Sequence, residues 1–202
     1  MKVDGEGRNR KKRFCVAIYG SARIEKRDTN WTMVYSLAKR IAEEGMDLVT
    51  GGGPGLMDAA SEGHYAGDIG KKSDSIGLQI KMPKEQRDAL HLDIKKEFHT
   101  FSKRLDSFIE LANIVVVAPG GVGTLLELLY TWQLLQVKMM SDVPIILLGE
   151  MWSHFIRWVK EWPLNSHFLD KEDLNLLFLA NDSGSAFDVI KKKQMEFKER
   201  NN

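Results

Sequence analysis

The stretch Pro119–Glu127 reads PGGVGTLLE and lies between two recognisable elements. It follows the apolar run Ile114–Ala118, which is typical of a buried parallel strand. It opens a helical pattern that extends to Val137. The turn between a strand end and a helix start is where open α/β sheets bind ligands. We expect Gly120, Gly121 and Gly123 to adopt positive φ angles and bring the backbone close to a ligand. The helix N-terminus favours an anion there, typically phosphate.

Glu127 lies one turn into this helix, and two interpretations of it stay open. In the first, its carboxylate stands beside the phosphate pocket and the positive helix end keeps it ionised. In the second, Thr124 and Glu127 form a capping box that satisfies backbone donors of the helix.

The composition of the whole chain excludes several classes of protein. The 202 residues carry a net charge of +1 and one cysteine, Cys15, which lies in an apolar stretch. The charge gives no general attraction to nucleic acid or to a membrane. No apolar run is long enough to span a bilayer, and a lone cysteine excludes an internal disulfide and fits a reducing compartment. We expect a cytoplasmic protein with one domain over residues 13–193, a basic tail over 1–12 and a charged tail over 194–202.

Apolar strand patterns alternate with helical patterns along the chain, which predicts a Rossmann-like, doubly wound α/β fold. The sheet should be mainly parallel, with helices on both faces. The segment 83–91 is polar and irregular and is predicted to be a surface loop, and the last helix is predicted over Ser185–Lys193. The other strands are predicted at 14–19, 47–50, 75–80, 94–99, 144–148 and 177–180, and the other helices at 31–44, 56–65, 102–112 and 152–158.

Three of the strands are followed by glycine turns: Gly20–Arg23, Gly51–Gly55 and Gly120–Gly123. The carboxyl ends of parallel strands share one edge of the sheet, so the three turns should lie together. They suggest a ligand of nucleotide size rather than a bare phosphate. None of them completes the G-x-G-x-x-G dinucleotide fingerprint or the Gly-Lys-Ser/Thr ending of a P-loop, which argues against NAD chemistry and ATP hydrolysis.

Two cations, Lys103 and Arg104, fall in the first turn of the predicted helix 102–112, where they oppose the helix dipole. An anionic ligand would compensate for this placement. For Lys103 we favour simple solvation, whereas for Arg104 the residues alone leave both interpretations open.

Together these residues resemble the Lonely Guy (LOG) family, whose members were often labelled possible lysine decarboxylases. The family signature P-G-G-x-G-T-x-x-E matches Pro119–Glu127 throughout, and G-G-G-P-G-x-M matches Gly51–Met57. The family arginine lies fifteen positions before the motif proline, where this chain has Arg104. Pro83–Gln86 matches a P-x-E-Q segment found in part of the family.

The resemblance implies hydrolysis of the N-glycosidic bond of nucleoside 5′-monophosphates, such as AMP or a cytokinin riboside monophosphate, to the free base and ribose 5-phosphate. It implies Arg104 and Glu127 as the catalytic pair, with no metal and no cofactor. It also implies a homo-oligomer, at least a dimer, with sites near subunit boundaries. Contacts to the substrate and its phosphate are predicted at Gly20, Ser21, Gly52, Gly53, Gly55, Met57, Gly120, Gly121, Gly123 and Thr124.

Four residues depart from the usual family pattern and put the base preference in doubt. Leu105 replaces a basic residue, Leu126 an acidic one and Asn113 an aspartate, and Asp58 stands where many members have glycine or glutamate.

A second class of function also fits these turns. Molybdenum-cofactor carriers have a similar fold and bind a phosphate-bearing ligand without reacting with it. Arg104 and Glu127 favour the enzyme, because a carrier has no need of that pair. Trp132, Leu134 and Leu135 are expected either to pack inside the protein or to line a helix-to-helix dimer seam.

Overall fold

The computed structural model describes residues 13–81, 87–140 and 143–201. Within these ranges, seven strands form one parallel sheet in the order β4-β3-β2-β1-β5-β6-β7. The strands are β1 Cys15–Tyr19, β2 Asp47–Thr50, β3 Ser75–Ile80, β4 Ile94–Phe98, β5 Ile114–Val117, β6 Ile145–Leu148 and β7 Leu177–Ala180. The helices are α1 Thr29–Glu43, α2 Leu56–Gly67, α3 Phe101–Leu111, α4 Val122–Gln136, α5 Met151–Val159, α6 Lys171–Leu174 and α7 Ser183–Asn201.

The strand order reverses at the centre of the sheet. From β1 the chain builds outward through β2, β3 and β4, then returns to place β5 on the other side of β1. Such a switch point opens a crevice between the two diverging connections, at the carboxyl ends of the strands. The turns after β1 and β5 therefore lie next to each other, and the doubly wound fold predicted from the sequence is confirmed.

The sheet separates two hydrophobic cores. Val16 and Ile18 of β1 point into a core shared with α1, α2 and α7. The alternate residues Cys15, Ala17 and Tyr19 point into a second core beneath α3, α4 and α5. Burial on both faces explains why the central strands are continuous apolar runs rather than alternating patterns.

The connection between β3 and β4 has no helix in its described part, which agrees with the predicted irregular loop. Residues Arg87–Asp93, which we call the strap, lead into the start of β4. Gly77 makes room for the strap, because a Cβ atom on it would lie 2.6 Å from Leu92. The family segment Pro83–Gln86 and the basic tail 1–12 lie outside the described residues.

The C-terminal end of the chain differs from the prediction. The last helix does not end near Lys193 but continues to Asn201, through the segment expected to be a charged tail. Gln194 is buried there, and Phe197 packs edge-on against Phe14 with ring centroids 5.5 Å apart. A hydrogen bond from Gln194 to the carbonyl of Glu44 and the packing of Phe197 hold this part of the helix. These contacts lie among charged residues, which is why composition alone suggested a tail.

Sequence patterns also missed two short elements, the helix α6 and a π-helical turn over Lys160–Leu164 that contains Pro163. In the described part of the chain, no helix is both long and apolar enough to cross a bilayer.

Candidate active site

Backbone hydrogen bonds join the three glycine turns at the carboxyl edge of the sheet. The N–H of Ser21 donates to the carbonyl of Pro119 over 3.0 Å, and the N–H of Leu56 donates to the carbonyl of Ser21 over 2.9 Å. Gly20 packs so closely that a Cβ atom would lie 3.0 Å from Leu56. The predicted clustering of the turns is therefore present, and Gly20 and Ser21 have backbone roles in it.

The turn Gly51–Gly55 needs glycine for conformation and for space. Gly52 and Gly55 have φ angles of +69° and +72°. A Cβ atom on Gly55 would lie 2.3 Å from the carbonyl oxygen of Ser21, and one on Gly52 would lie 3.0 Å from the Cα of Gly77. A side chain at either position would push this turn out of the edge of the sheet.

The turn after β5 uses its glycines differently from the prediction. Positive φ was expected at Gly120, Gly121 and Gly123, but none of the three has it. Gly120 is needed because a Cβ atom would lie 2.1 Å from the Oγ1 of Thr124. Gly121 and Gly123 are exposed, with no atom within 4 Å of an added Cβ. The space beside these two glycines is therefore open to solvent and is not filled by other parts of the protein.

Arg104 and Glu127 meet at this edge, from helices α3 and α4. The guanidinium Nη2 donates to the Oε1 of Glu127 over 2.5 Å, and each side chain is only 12% exposed. Arg104 also lies against the second glycine turn, because a Cβ atom on Gly51 would be 3.0 Å from its Nη2. The predicted catalytic pair is thus one buried ion pair that borders two of the three turns.

The capping-box interpretation of Glu127 is wrong. Helix α4 begins at Val122 with Gly121 as its N-cap, so Thr124 lies inside the first turn. Glu127 turns toward Arg104 instead of back toward the start of the helix.

The environment of Glu127 also changes the expected charge of its carboxyl group. Burial raises the pKa of Glu127 to about 7, although the Arg104 guanidinium favours the ionised form. The prediction that the helix end keeps this group fully ionised therefore neglected desolvation. A carboxyl group with a pKa near 7 exchanges protons readily at neutral pH, which suits general acid–base chemistry.

Two aromatic side chains, Phe108 and Tyr19, pack next to the ion pair. The Cζ of Arg104 lies 5.5 Å from the ring centroid of Phe108, one turn further along α3. Phe108 in turn packs edge-on against Tyr19 at the end of β1. The sequence patterns gave no role to Phe108, although its spacing of four residues from Arg104 on a helix was a usable signal.

The other predicted contacts fall around this pair. Met57 lies beside Gly51, whose added Cβ would be 2.7 Å from its sulfur, so this residue faces the same place as Arg104. Gly53 is buried within its turn, and Lys103 is exposed as the solvation interpretation expected.

The four departures from the family pattern have separate local surroundings. Asn113 accepts a hydrogen bond from the N–H of Cys15, which ties the start of β5 to β1. Leu105 is buried in the core, whereas Leu126 is 42% exposed. The buried carboxylate of Asp58 binds the strap through Arg87 and Leu90.

Among the residues that the structure describes, no group of three or more histidine, cysteine, aspartate or glutamate side chains is arranged to hold a metal ion.

Comparison with known proteins identifies the family. The model of the family described as "Possible lysine decarboxylase" matches residues 57–190, about two thirds of the chain. The chain belongs to this family. The match confirms the resemblance to LOG proteins, and it includes both Arg104 and Glu127.

Two curated relatives carry names for related activities. A pyrimidine/purine nucleotide 5′-monophosphate nucleosidase of Escherichia coli is 31% identical over 128 residues, 57% of this chain and 28% of its own length. The cytokinin riboside 5′-monophosphate phosphoribohydrolase LOG of Oryza sativa subsp. japonica is 34% identical over 131 residues, 63% of this chain and 52% of its own length. The chain spans about half, or less, of the length of these relatives.

Solved structures of low sequence identity share the fold. The molybdenum cofactor binding protein of Rippkaea orientalis has a TM-score of 0.67 at 20% identity, covering 90% of this chain and 97% of its own. The Moco carrier protein of Chlamydomonas reinhardtii has a TM-score of 0.63 at 23% identity, covering 91% and 99%.

Proposed function

We propose that the protein is a hydrolase that cleaves the N-glycosidic bond of nucleoside 5′-monophosphates, with AMP as the first candidate substrate. The observation that carries the proposal is the buried Arg104–Glu127 ion pair between two glycine turns. Relatives named as a nucleosidase and a phosphoribohydrolase of such nucleotides support it.

In this proposal the phosphate binds at the start of α4. The first N–H groups of a helix have no partner within it and carry partial positive charge. Gly121 and Gly123 leave the space beside them open. A phosphate held by the N–H groups of residues 121–124 fixes the ribose in place, so binding energy far from the reacting bond serves catalysis.

Glu127 then acts on the anomeric carbon. Ribosidic cleavage develops positive charge on the sugar, as in other glycoside hydrolyses, and a carboxylate stabilises that charge. The same carboxylate accepts a proton from the attacking water as the water oxygen bonds to C1′. The base leaves with the electron pair of the broken C1′–N bond and takes up a proton from solvent, and Glu127 returns its proton to solvent, so that one water is consumed overall.

Arg104 has two roles in the proposal. It holds Glu127 by the 2.5 Å hydrogen bond, and its remaining N–H groups are available for the anionic substrate. The Nε of Arg104 is buried and has no hydrogen-bond partner among the described residues.

The test is a panel of nucleoside 5′-monophosphates scored by chromatography for released base, with the matching nucleosides as controls. We expect adenine and ribose 5-phosphate from AMP, and a rate on adenosine at least about a hundredfold lower, because the nucleoside lacks the anion. Equal rates on AMP and adenosine would contradict the role given to the turn before α4.

The same panel separates a hydrolase from a molybdenum-cofactor carrier, the second class of function that fits the glycine turns. Intact nucleotides after prolonged incubation, together with tight binding of a molybdopterin, would refute hydrolysis and support a carrier.

A further inference from the structure

Asp58, one of the departures from the family pattern, uses both of its carboxylate oxygens to hold the strap. Its Oδ1 accepts a hydrogen bond from the N–H of Leu90 over 2.9 Å, and its Oδ2 pairs with the Nη2 of Arg87 at 2.5 Å. The Asp58 side chain is 6% exposed, whereas that of Arg87 is 53% exposed. A buried carboxylate therefore reaches outward from the first turn of α2 to fix a surface segment.

The strap is fixed to the second glycine turn as well. The N–H of Ala89 donates to the carbonyl of Gly52 over 2.9 Å, and the Nε2 of Gln79 reaches the same carbonyl over 3.3 Å. His91 stacks on Tyr65 of α2 with ring centroids 4.3 Å apart. These contacts link the strap, the glycine turn and α2 into one unit.

This unit borders the candidate active site. Gly51 precedes Gly52 in the turn, and a Cβ atom on Gly51 would lie 3.0 Å from the Nη2 of Arg104. Met57 precedes Asp58 and lies against the same glycine. The strap is therefore bonded to Gly52 and Asp58, the chain neighbours of Gly51 and Met57, which lie beside Arg104.

We propose that Asp58 is a positioning residue: through the strap it holds the turn Gly51–Gly55 against Arg104 and thereby sets the affinity for the nucleotide substrate. The proposal rests on the proposed function and adds a determinant of substrate binding to it. Asp58 acts through the strap and the turn, so its loss should weaken binding while the Arg104–Glu127 pair still carries out the reaction.

The experiment compares three variants with the native protein in steady-state hydrolysis of AMP, well below each melting temperature. Asp58→Ala removes both contacts to the strap, and Asp58→Asn keeps an oxygen for the N–H of Leu90. Arg87→Met removes the ion pair with Asp58 together with the hydrogen bond from Arg87 to the carbonyl of Asp88. We expect Asp58→Ala to raise KM about tenfold with kcat changed less than about threefold, and the other two variants to raise KM about threefold.

Glu62→Gln is the matched control. Glu62 is also an acid on α2, but its partner is Lys26, at 2.8 Å, and not a residue of the strap. The control substitution should leave KM unchanged and change the melting temperature little, because a partly exposed ion pair contributes little to stability. A folded Asp58→Ala variant with native KM, or an equal rise of KM in Glu62→Gln, would overturn the proposal.

Two further outcomes separate a failure of the role proposed for Asp58 from a failure of the proposed function. If Asp58→Ala does not fold, Arg87→Met decides, and a native KM there overturns the inference. If the native protein hydrolyses no nucleotide, the proposed function fails. Amide hydrogen exchange then tests the strap, because Asp58→Ala should speed exchange at Ala89 and Leu90 and in the turn at Leu56, and unchanged exchange at Leu56 would refute the coupling.

Discussion

Glu127 is a carboxyl group in a place that disfavours its charge. Removal from water raises its pKa to about 7, and the hydrogen bond from Arg104 opposes that rise without cancelling it. A buried ion pair is weak evidence for a role in stability, because desolvation of the two charges offsets much of their attraction. The place of Glu127 beside the open glycines fits a catalytic role.

Replacement of Glu127 by glutamine separates these roles. The amide keeps the shape and can still accept a hydrogen bond from Arg104, but it carries no negative charge for the transition state. We expect Glu127→Gln to lower kcat on AMP about a hundredfold or more, with a smaller change in KM. Its melting temperature should fall, because Arg104 loses the counter-charge of a largely buried ion pair. Near-native turnover in a variant that is still folded at the assay temperature would reduce Glu127 to a structural group.

The pH dependence of activity follows from the same pKa. The proposed reaction needs the carboxylate, which predominates above the pKa of about 7 and is lost as pH falls below it. We therefore expect kcat/KM for AMP to reach a plateau above neutral pH and to fall about tenfold per pH unit on the acid side.

The phosphate of AMP also titrates near pH 6, so the residual activity of Glu127→Gln serves as the control. An acid limb centred near pH 7 in the native protein and absent from the variant belongs to Glu127. The same limb in both proteins would assign it to the substrate.

At the scale of single residues, the resemblance to the family drew attention to Arg104 and Glu127, and the structure places these two side chains in contact. The sequence did not predict how they are arranged. The capping box failed because the helix starts at Val122, two residues before Thr124, and a motif pattern does not define a helix start to within one or two residues. The pKa of Glu127 could not be read from the sequence, because burial depends on contacts between distant segments.

At the scale of the secondary-structure elements, glycine has two different uses at the junction of β5 and α4. Gly120 is enclosed by Thr124, whereas Gly123 faces open space although it lies within the first turn of a helix. An alanine in a helix is favoured over glycine by about 1 kcal/mol, so the fold alone gives no reason for glycine at position 123. Space for a ligand does give one.

Gly123→Ala therefore makes a sharp test of the phosphate site. We expect an unchanged or slightly raised melting temperature together with a KM for AMP raised about tenfold, because the new methyl group occupies the space beside the helix N–H groups. Hydrolysis of adenosine, if measurable, should change little. Gly120→Ala should behave in the opposite way, losing stability through the collision with Thr124. A native KM in Gly123→Ala would place the phosphate elsewhere.

The periodicity of the sequence predicted the strands and the principal helices, and the misses have physical causes. Helix α7 runs past its predicted end because Gln194 and Phe197 pack against distant parts of the chain. The strap has no periodic apolar pattern, because it is not held by an apolar face. A hydrogen bond to Gly52 and the carboxylate of Asp58 hold it instead.

On the scale of the whole molecule, helix α4 presents an apolar surface that the monomer leaves uncovered. Val122, Leu126 and Leu129 are 85%, 42% and 47% exposed, at spacings of four and three residues that place them on one side of the helix. The seam suggested for Trp132, Leu134 and Leu135 does not coincide with this surface. Leu135 is buried, and the indole N–H of Trp132 donates to the carbonyl of Asp173 within the chain.

We predict that the protein is at least a dimer in solution and that this face of α4 lies in the interface. Val122 follows Gly121 of the glycine turn, and Leu126 precedes Glu127. An interface here would therefore place the proposed sites near the boundary between subunits. Light scattering at micromolar concentration should give at least twice the chain mass of 23.0 kDa.

Leu129→Glu should shift the measured mass toward that of the monomer, because a charge replaces an apolar contact on both sides of a two-fold axis. Ile69→Glu is the matched control, since Ile69 is 94% exposed in a turn outside α4 and its replacement should leave the mass unchanged. A monomeric native protein, or a Leu129→Glu variant that keeps the native mass, would refute this interface. If the interface also shapes the site, the monomeric variant should lose activity on AMP while keeping its fold.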